Sequence, residues 1–315
     1  MENIILAFSV VFPLVVMMSV GYLLKRKKIT DDSSLNVMNK VIFKVFLPLL
    51  LFCNIYSLEP EEALNRANII LLLIASFCII VIALLGHLVF SRLIKNKKKC
   101  SVVIQGSFRS NLVLFGIPIA ASIYGSDRIG IVSMLAACIV PLFNVLAVIV
   151  LELYRGGKIN YKNILFGILK NPLIISSALA ILLLIIGIDL PDFVMSPINS
   201  MSKVATPLAF TVLGGTFQFS NLGKNIKYLI TVCFNKLVLL PALTITFAYL
   251  LGFQGEALVA LIGATASPAA VSSFSMAMEM DADSELAGQI VILTSIASIV
   301  TIFFWVLILK TIGLI

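Results

Sequence analysis

Two stretches hold polar residues deep inside apolar sequence. Residues 107–118 read SFRSNLVLFGIP, with the guanidinium of Arg109 and the amide of Asn111 about two turns before Pro118. Residues 263–275 read GATASPAAVSSFS, where Ser272 and Ser273 follow Pro268 among small residues. A proline removes a backbone donor and clashes with the preceding turn. In a bilayer, the freed polar groups are tolerated only when they are buried in protein or line a cavity. Two breaks of this kind present half-helix ends to one central space. Their N-termini carry exposed N–H groups and partial positive charge, which suits an anion such as a carboxylate.

Further candidates flank these breaks. Arg109 either draws the anion or faces water at the end of its span. Asn111 lines the cavity or pairs with a neighbouring helix. Asn144 follows Pro141 and is a second buried amide. Thr294, Ser295 and Ser298 are its hydroxyl counterparts near the C-terminus, and each can also bond back to its own helix. No Asp or Glu falls at the centre of an apolar run, because Glu152 and Glu279 lie near span ends. A carboxylate site for sodium or protons is therefore not visible. His87 reads as interfacial. Lys40, Lys44, Lys203 and Lys236 read as snorkelling toward the cytoplasmic side, with Lys44 and Lys203 deeper. No Walker A, HExxH or GxSxG signature is present, and no metal or cofactor is called for.

The elements that must position these residues dominate the composition. Of 315 residues, 60% are hydrophobic and 12% charged, with a mean hydropathy of +1.12. A soluble domain averages roughly 25% charged residues, so lipid is the expected solvent. The pattern predicts an all-α integral membrane protein with spans near 4–24, 35–56, 68–90, 101–124, 129–153, 172–188, 194–217, 225–251, 256–278 and 285–309. The net charge of +8 reads as topology and not as nucleic-acid binding. Basic residues crowd the first, third, fifth and seventh connections, for example Lys25, Arg26, Lys27 and Lys28, or Lys97, Lys98 and Lys99. The second, fourth, sixth and eighth hold Arg66 and Arg128 against Glu59, Glu61, Glu62, Asp127, Asp189, Asp192 and Glu256. This bias puts both termini outside a cell membrane, with the acidic ninth connection at Asp281 and Asp283 dissenting. Glu2 before the first span and basic residues after it reverse the order of a signal peptide. Five scattered cysteines without a CxxC pair indicate neither disulfide framework nor zinc site.

The halves look related. Pro48-Leu49 recurs at Pro207-Leu208, an offset of 159 positions (207 − 48), and Pro13-Leu14 at Pro172-Leu173 shares it, as do Lys44 and Lys203. Pro118 and Pro268 differ by 150, a shift that fits a longer basic connection before the fourth span. Five spans per half make the repeats inverted, 1–156 and 157–315, a hallmark of secondary transporters.

These residues also carry a family likeness. Residues 111–118 followed by Ile119 and Tyr124-Gly125, residues 151–156 (LELYRG), residues 44–50 (KVFLPLL), Ala266-Ser267-Pro268, Ala277 and Glu285-Leu286-Ala287 together resemble the auxin efflux carrier family. The likeness covers nearly the whole chain. It implies ten helices in two inverted five-helix repeats, with broken helices 4 and 9 crossing at proline. It implies a scaffold of helices 1, 2, 6 and 7 that often dimerises, and a moving part of helices 3–5 and 8–10. Asn111, Pro118 and Pro268 match the family's crossover residues. Auxin is the family's cargo in plants, and bacterial members are associated with malate, malonate or similar carboxylates. The short connection after residue 153 departs from many plant members and favours a bacterial type. The expectation is a carrier of small organic anions using Arg109, Asn111, Pro118, Ile119, Asn144, Pro268, Ser272, Ser273, Thr294 and Ser298. A sodium-coupled symporter of bile-acid type is the alternative, with a membrane receptor or enzyme behind it.

Overall fold

A computed structural model describes residues 2–57, 66–125, 128–155, 161–218 and 222–315. Glu59, Glu61, Glu62, Asp127 and Gly156, used above for topology and likeness, lie outside the described residues. Thirteen helices occupy the described chain: α1 (Glu2–Arg26), α2 (Asp32–Tyr56), α3 (Arg66–Leu93), α4 (Lys97–Phe108), α5 (Leu112–Tyr124), α6 (Gly130–Tyr154), α7 (Tyr161–Leu169), α8 (Pro172–Ile186), α9 (Asp192–Thr216), α10 (Leu222–Leu250), α11 (Glu256–Ala266), α12 (Val271–Glu279) and α13 (Ser284–Thr311). No strand forms among them.

Five of these helices, α2, α3, α6, α10 and α13, are long and apolar enough to cross a membrane, and α5, α8 and α11 are shorter apolar helices. α3 shows why lipid must surround them. One face of it, Leu71, Ala75, Ile79, Ile82 and Phe90, is buried against protein. The other face, Leu73, Phe77, Ile80, Leu84 and Leu88, is exposed and equally apolar. A helix hydrophobic all round has no stable place facing water.

α7 was not anticipated. It is a nine-residue helix ahead of α8, with exposed Leu165, Phe166 and Leu169 beside basic Lys162 and Lys170. Asn171 ends it and caps α8, its Oδ1 accepting from the Leu173 N–H at 2.9 Å.

Helices α1, α2, α8 and α9 pack together: α1 on α9, α8 on α2, and α9 on α2. The α1–α9 contact is backbone-close. A Cβ built on Gly21 would lie 2.9 Å from the Gly215 nitrogen. Small residues allow that approach between membrane helices. A second group joins α3, α4, α6, α10 and α13 around α5, α11 and α12.

Four prolines are preceded by a widened π turn. Ile42–Phe46 precedes Pro48, Leu112–Gly116 precedes Pro118, Asn235–Leu239 precedes Pro241, and Ile262–Ala266 precedes Pro268. A proline ring clashes with the carbonyl four residues earlier. The wider turn moves that carbonyl aside.

Candidate functional site

Both interrupted helices unwind over a few residues. Between α4 and α5, Arg109 (φ −78°, ψ 117°) and Asn111 (φ −93°, ψ 62°) leave the helical region. Between α11 and α12, Ser267 (φ −62°, ψ 147°) and Ala270 (φ −69°, ψ 138°) do the same. The two extended segments pair. Ser110 and Ala269 form an antiparallel bridge, and the Asn111 N–H donates to the Pro268 carbonyl at 2.8 Å. The Ala269 N–H donates to Thr294 Oγ1 at 3.1 Å. These bonds satisfy part of the backbone that unwinding would leave unpaired.

The sequence put the first break at Gly116 and Pro118, meeting Pro268. The unwound residues are instead 109–111, and Pro268 meets Asn111. Pro118 sits in the first turn after the π segment of α5. Gly116 does reach the partner helix: a Cβ built on Gly263 would lie 2.7 Å from Gly116 Cα. The helices thus cross glycine on glycine beyond the extended pair.

A cavity of about 70 Å³ lies where this crossing faces α2, α8 and α9. Arg109, Ser110, Asn111, Asn144, Ala270 and Ser272 line one wall, with Leu112, Val113 and Val271 from the starts of α5 and α12. Leu47, Leu50, Leu51 and Asn54 of α2, Leu173 of α8 and Thr206 of α9 line the other. The first N–H groups of α5 and α12 have no partner within their own helices. Two helix N-termini therefore open toward the same space.

Arg109 is 2% exposed. Its Nη2 donates to Asn144 Oδ1 at 2.6 Å and to Ser272 Oγ at 2.9 Å, and its Nη1 to Met276 Sδ at 2.6 Å. All three partners are neutral. Among the described residues, no carboxylate forms an ion pair with it. The Asn144 Nδ2 is itself buried and without a partner.

Of the ten expected site residues, four line this cavity: Arg109, Asn111, Asn144 and Ser272. Pro268 and Thr294 act one layer back, through the backbone bonds given above. Ser273 Oγ donates to the Ala270 carbonyl and Ser298 Oγ to the Ser295 carbonyl, so both are spent locally. Pro118 and Ile119 do not line the cavity.

Sequence reasoning missed Ser110, Asn54, Thr206 and Lys236. Lys236 does not snorkel. It is fully buried, and its Nζ donates to Ser110 Oγ at 2.5 Å and to the Thr265 carbonyl at 2.6 Å. The signal was available: Lys236 stands fourteen positions (236 − 222) into α10, roughly 21 Å from its start, beyond the reach of a lysine side chain. Lys44, in contrast, is exposed and lies 3.9 Å from Glu279. His87 is half-buried and shares a 2.9 Å hydrogen bond with the Tyr154 hydroxyl.

Comparison with known proteins bears on this arrangement. The family described as membrane transport protein matches residues 6–306. An uncharacterized transporter of Methanocaldococcus jannaschii is 24% identical over 308 residues, covering 94% of this chain and 97% of the relative. An uncharacterized transporter of Methanothermobacter thermautotrophicus is 22% identical over 306 residues, covering 95% and 97%.

Proposed function

Because the chain belongs to the membrane transport protein family, that of the auxin efflux carriers, we propose that it is a secondary transporter of small organic anions working by alternating access. The observation that carries this is Arg109. A guanidinium buried in a membrane protein with only neutral partners leaves a charge uncompensated, at a cost of several kcal/mol. An anion in the adjoining cavity removes that cost, and the two helix N-termini facing the cavity favour the same charge. A substrate carboxylate at Arg109, Asn111 and Ser272 is the simplest completion.

Ten spans in two inverted repeats, 1–156 and 157–315, are part of the proposal. The offset of 159 supports it across the chain. Shifted by 159, α4 runs 256–267 against α11 at Glu256–Ala266, and α3 runs 225–252 against α10 at Leu222–Leu250. Likewise α1 shifts to 161–185, the stretch held by α7 and α8. With a uniform offset of 159, Pro118 falls on Ala277 and Arg109 on Pro268, in place of the 150 spacing between the two prolines.

In this reading α1, α2, α8 and α9 form the scaffold, through which the chain dimerises. The crossing group carries the anion past it, and both termini face outside the cell. The cavity supports this division, because its two walls come from the two groups. Uptake of labelled malonate, malate and indole-3-acetate into proteoliposomes tests the function. Uptake in the wild type that is lost in Arg109→Gln is expected. Equal uptake by both proteins sinks the site.

A further inference from the structure

Lys236 binds both halves of the crossing at once. Ser110 belongs to the first unwound segment and pairs with Ala269 of the second. Thr265 lies in the π turn that leads into the second. One ammonium therefore ties the two interrupted helices together through a hydroxyl oxygen and a backbone carbonyl oxygen. Neither acceptor is charged, and no carboxylate forms an ion pair with Lys236 among the described residues. The other charges on the surrounding elements are distant along their helices. They are Lys97, Lys98 and Lys99 at the start of α4, Arg66 and Arg92 near the ends of α3, Glu256 at the start of α11, and Glu285 and Lys310 at the ends of α13. Arg109, next to Ser110 in the chain, is the near one.

Hydroxyl and carbonyl oxygens of unwound membrane helices are the ligands that hold free monovalent cations in transporters. Here a covalently attached cation meets them. We propose that Lys236 is a tethered cation: it takes the place within the crossing that a bound monovalent ion would occupy, and it fixes a positive charge behind Arg109. Its role is positioning, through Ser110 and Thr265, and not contact with substrate. The consequence for coupling is direct, because a crossing that carries its own cation requires no sodium. This inference rests on the anion-carrier reading only for that last step.

The melting arm of the test needs no knowledge of the substrate. Removing the side chain in Lys236→Ala leaves a cation-sized gap lined by Ser110 Oγ and the Thr265 carbonyl. The purified full-length variant should melt at a higher temperature in sodium or methylammonium chloride than in choline chloride at equal ionic strength. Wild type and Lys236→Met, which keeps the volume, should show no such difference. In proteoliposomes, wild-type uptake of whichever of malonate, malate or indole-3-acetate it carries should stay within about twofold when choline replaces sodium. Lys236→Met should lose at least tenfold in uptake. A wild type whose melting or uptake depends on sodium overturns the proposal. So does Lys236→Met with normal uptake, or Lys236→Ala that melts identically in all three salts. Should Lys236→Ala fail to fold, Lys236→Met and the wild-type salt comparison decide alone. Arg109→Gln separates this from the anion site: normal uptake there removes the site reading and leaves the melting experiment standing.

Discussion

Ser110 bridges to Ala269, and the two positions are 159 apart (269 − 110), the spacing that also separates Pro48 from Pro207. An inverted repeat brings equivalent residues together at its axis, so a pair related by the repeat offset is what such an axis requires. The bridge thus ties a sequence spacing to a contact between two membrane-depth segments.

The glycine contact beside that bridge should be intolerant of a methyl group. In Gly263→Ala the new Cβ would sit 2.7 Å from Gly116 Cα, with no flexible side chain to move away. We expect a destabilisation of about 1–3 kcal/mol, the usual cost of overpacking. Thermal melting in detergent checks it. Gly223→Ala is the control, since a Cβ there meets nothing within 4 Å and should leave melting unchanged.

Anion affinity should follow Arg109. Hydrogen bonds to a charged group contribute about 1.5–3 kcal/mol, so Arg109→Gln should weaken binding about ten- to a hundredfold. Arg109→Lys should not restore it, because an ammonium cannot reproduce the planar fork that reaches Asn144, Ser272 and an anion together. Asn144→Ala should cost less, since it only loosens the guanidinium. Ligand-induced shifts in melting temperature report all three.

Much of this was legible in the sequence, and each exception has a physical cause. Apolar runs fixed the helix limits because lipid demands length and hydrophobicity together. Arg109, Asn111, Asn144 and Ser272 stood out because polar groups are costly there. The break itself was misplaced by seven to nine residues, from Pro118 to residues 109–111. Proline acts on the turn before it, and the π turn over Leu112–Gly116 absorbs that clash without unwinding. Ser110 and Asn111 unwind instead where tertiary partners, Ala269 and Pro268, pair with their backbone, and a single sequence does not display such partners. α7 was missed for another reason: nine residues with Lys162 and Lys170 at hand look like a basic connection.

Pro118 and Asn111 can be told apart on this basis. Asn111 lines the cavity and donates its N–H to Pro268, whereas Pro118 lies outside the cavity. Asn111→Ala should reduce anion uptake several-fold with little change in melting. Pro118→Ala should reduce it less than Asn111→Ala. The reverse ranking in a side-by-side uptake assay would return the break to the proline.

One surface ion pair gives a pH dependence. Lys98 Nζ donates to Asp281 Oδ1 at 2.7 Å, and this hydrogen bond, with the charge of Lys98, holds the Asp281 carboxyl below its ordinary value. A carboxyl depressed in the folded state adds stability above its unfolded value and loses it as pH falls through the folded one. The melting-temperature advantage of wild type over Asp281→Asn at pH 7 should therefore shrink below about pH 4. A gap that stays constant from pH 7 to pH 3 would remove the pair from the account.

The two packed groups also touch through a bond that the proposed alternating access must break. Asn39 of α2 donates Nδ2 to the Ser275 carbonyl of α12 at 3.2 Å, and both residues are buried. Nearby, Lys44 of α2 faces Glu279 of α12. α2 belongs to the proposed scaffold and α12 to the moving group, so these contacts hold the present arrangement. Asn39→Cys and Ser275→Cys, in a background lacking the five native thiols at 53, 78, 100, 138 and 233, should be joined by a short bis-methanethiosulfonate, each thiolate displacing methanesulfinate. Joining them should abolish uptake, and a reducible linker should let reductant restore it. Anion binding, measured by melting shift, should survive, because neither residue 39 nor residue 275 lines the cavity. Full uptake by a fully cross-linked sample would mean that α2 and α12 travel together, and the division into scaffold and moving group would fall.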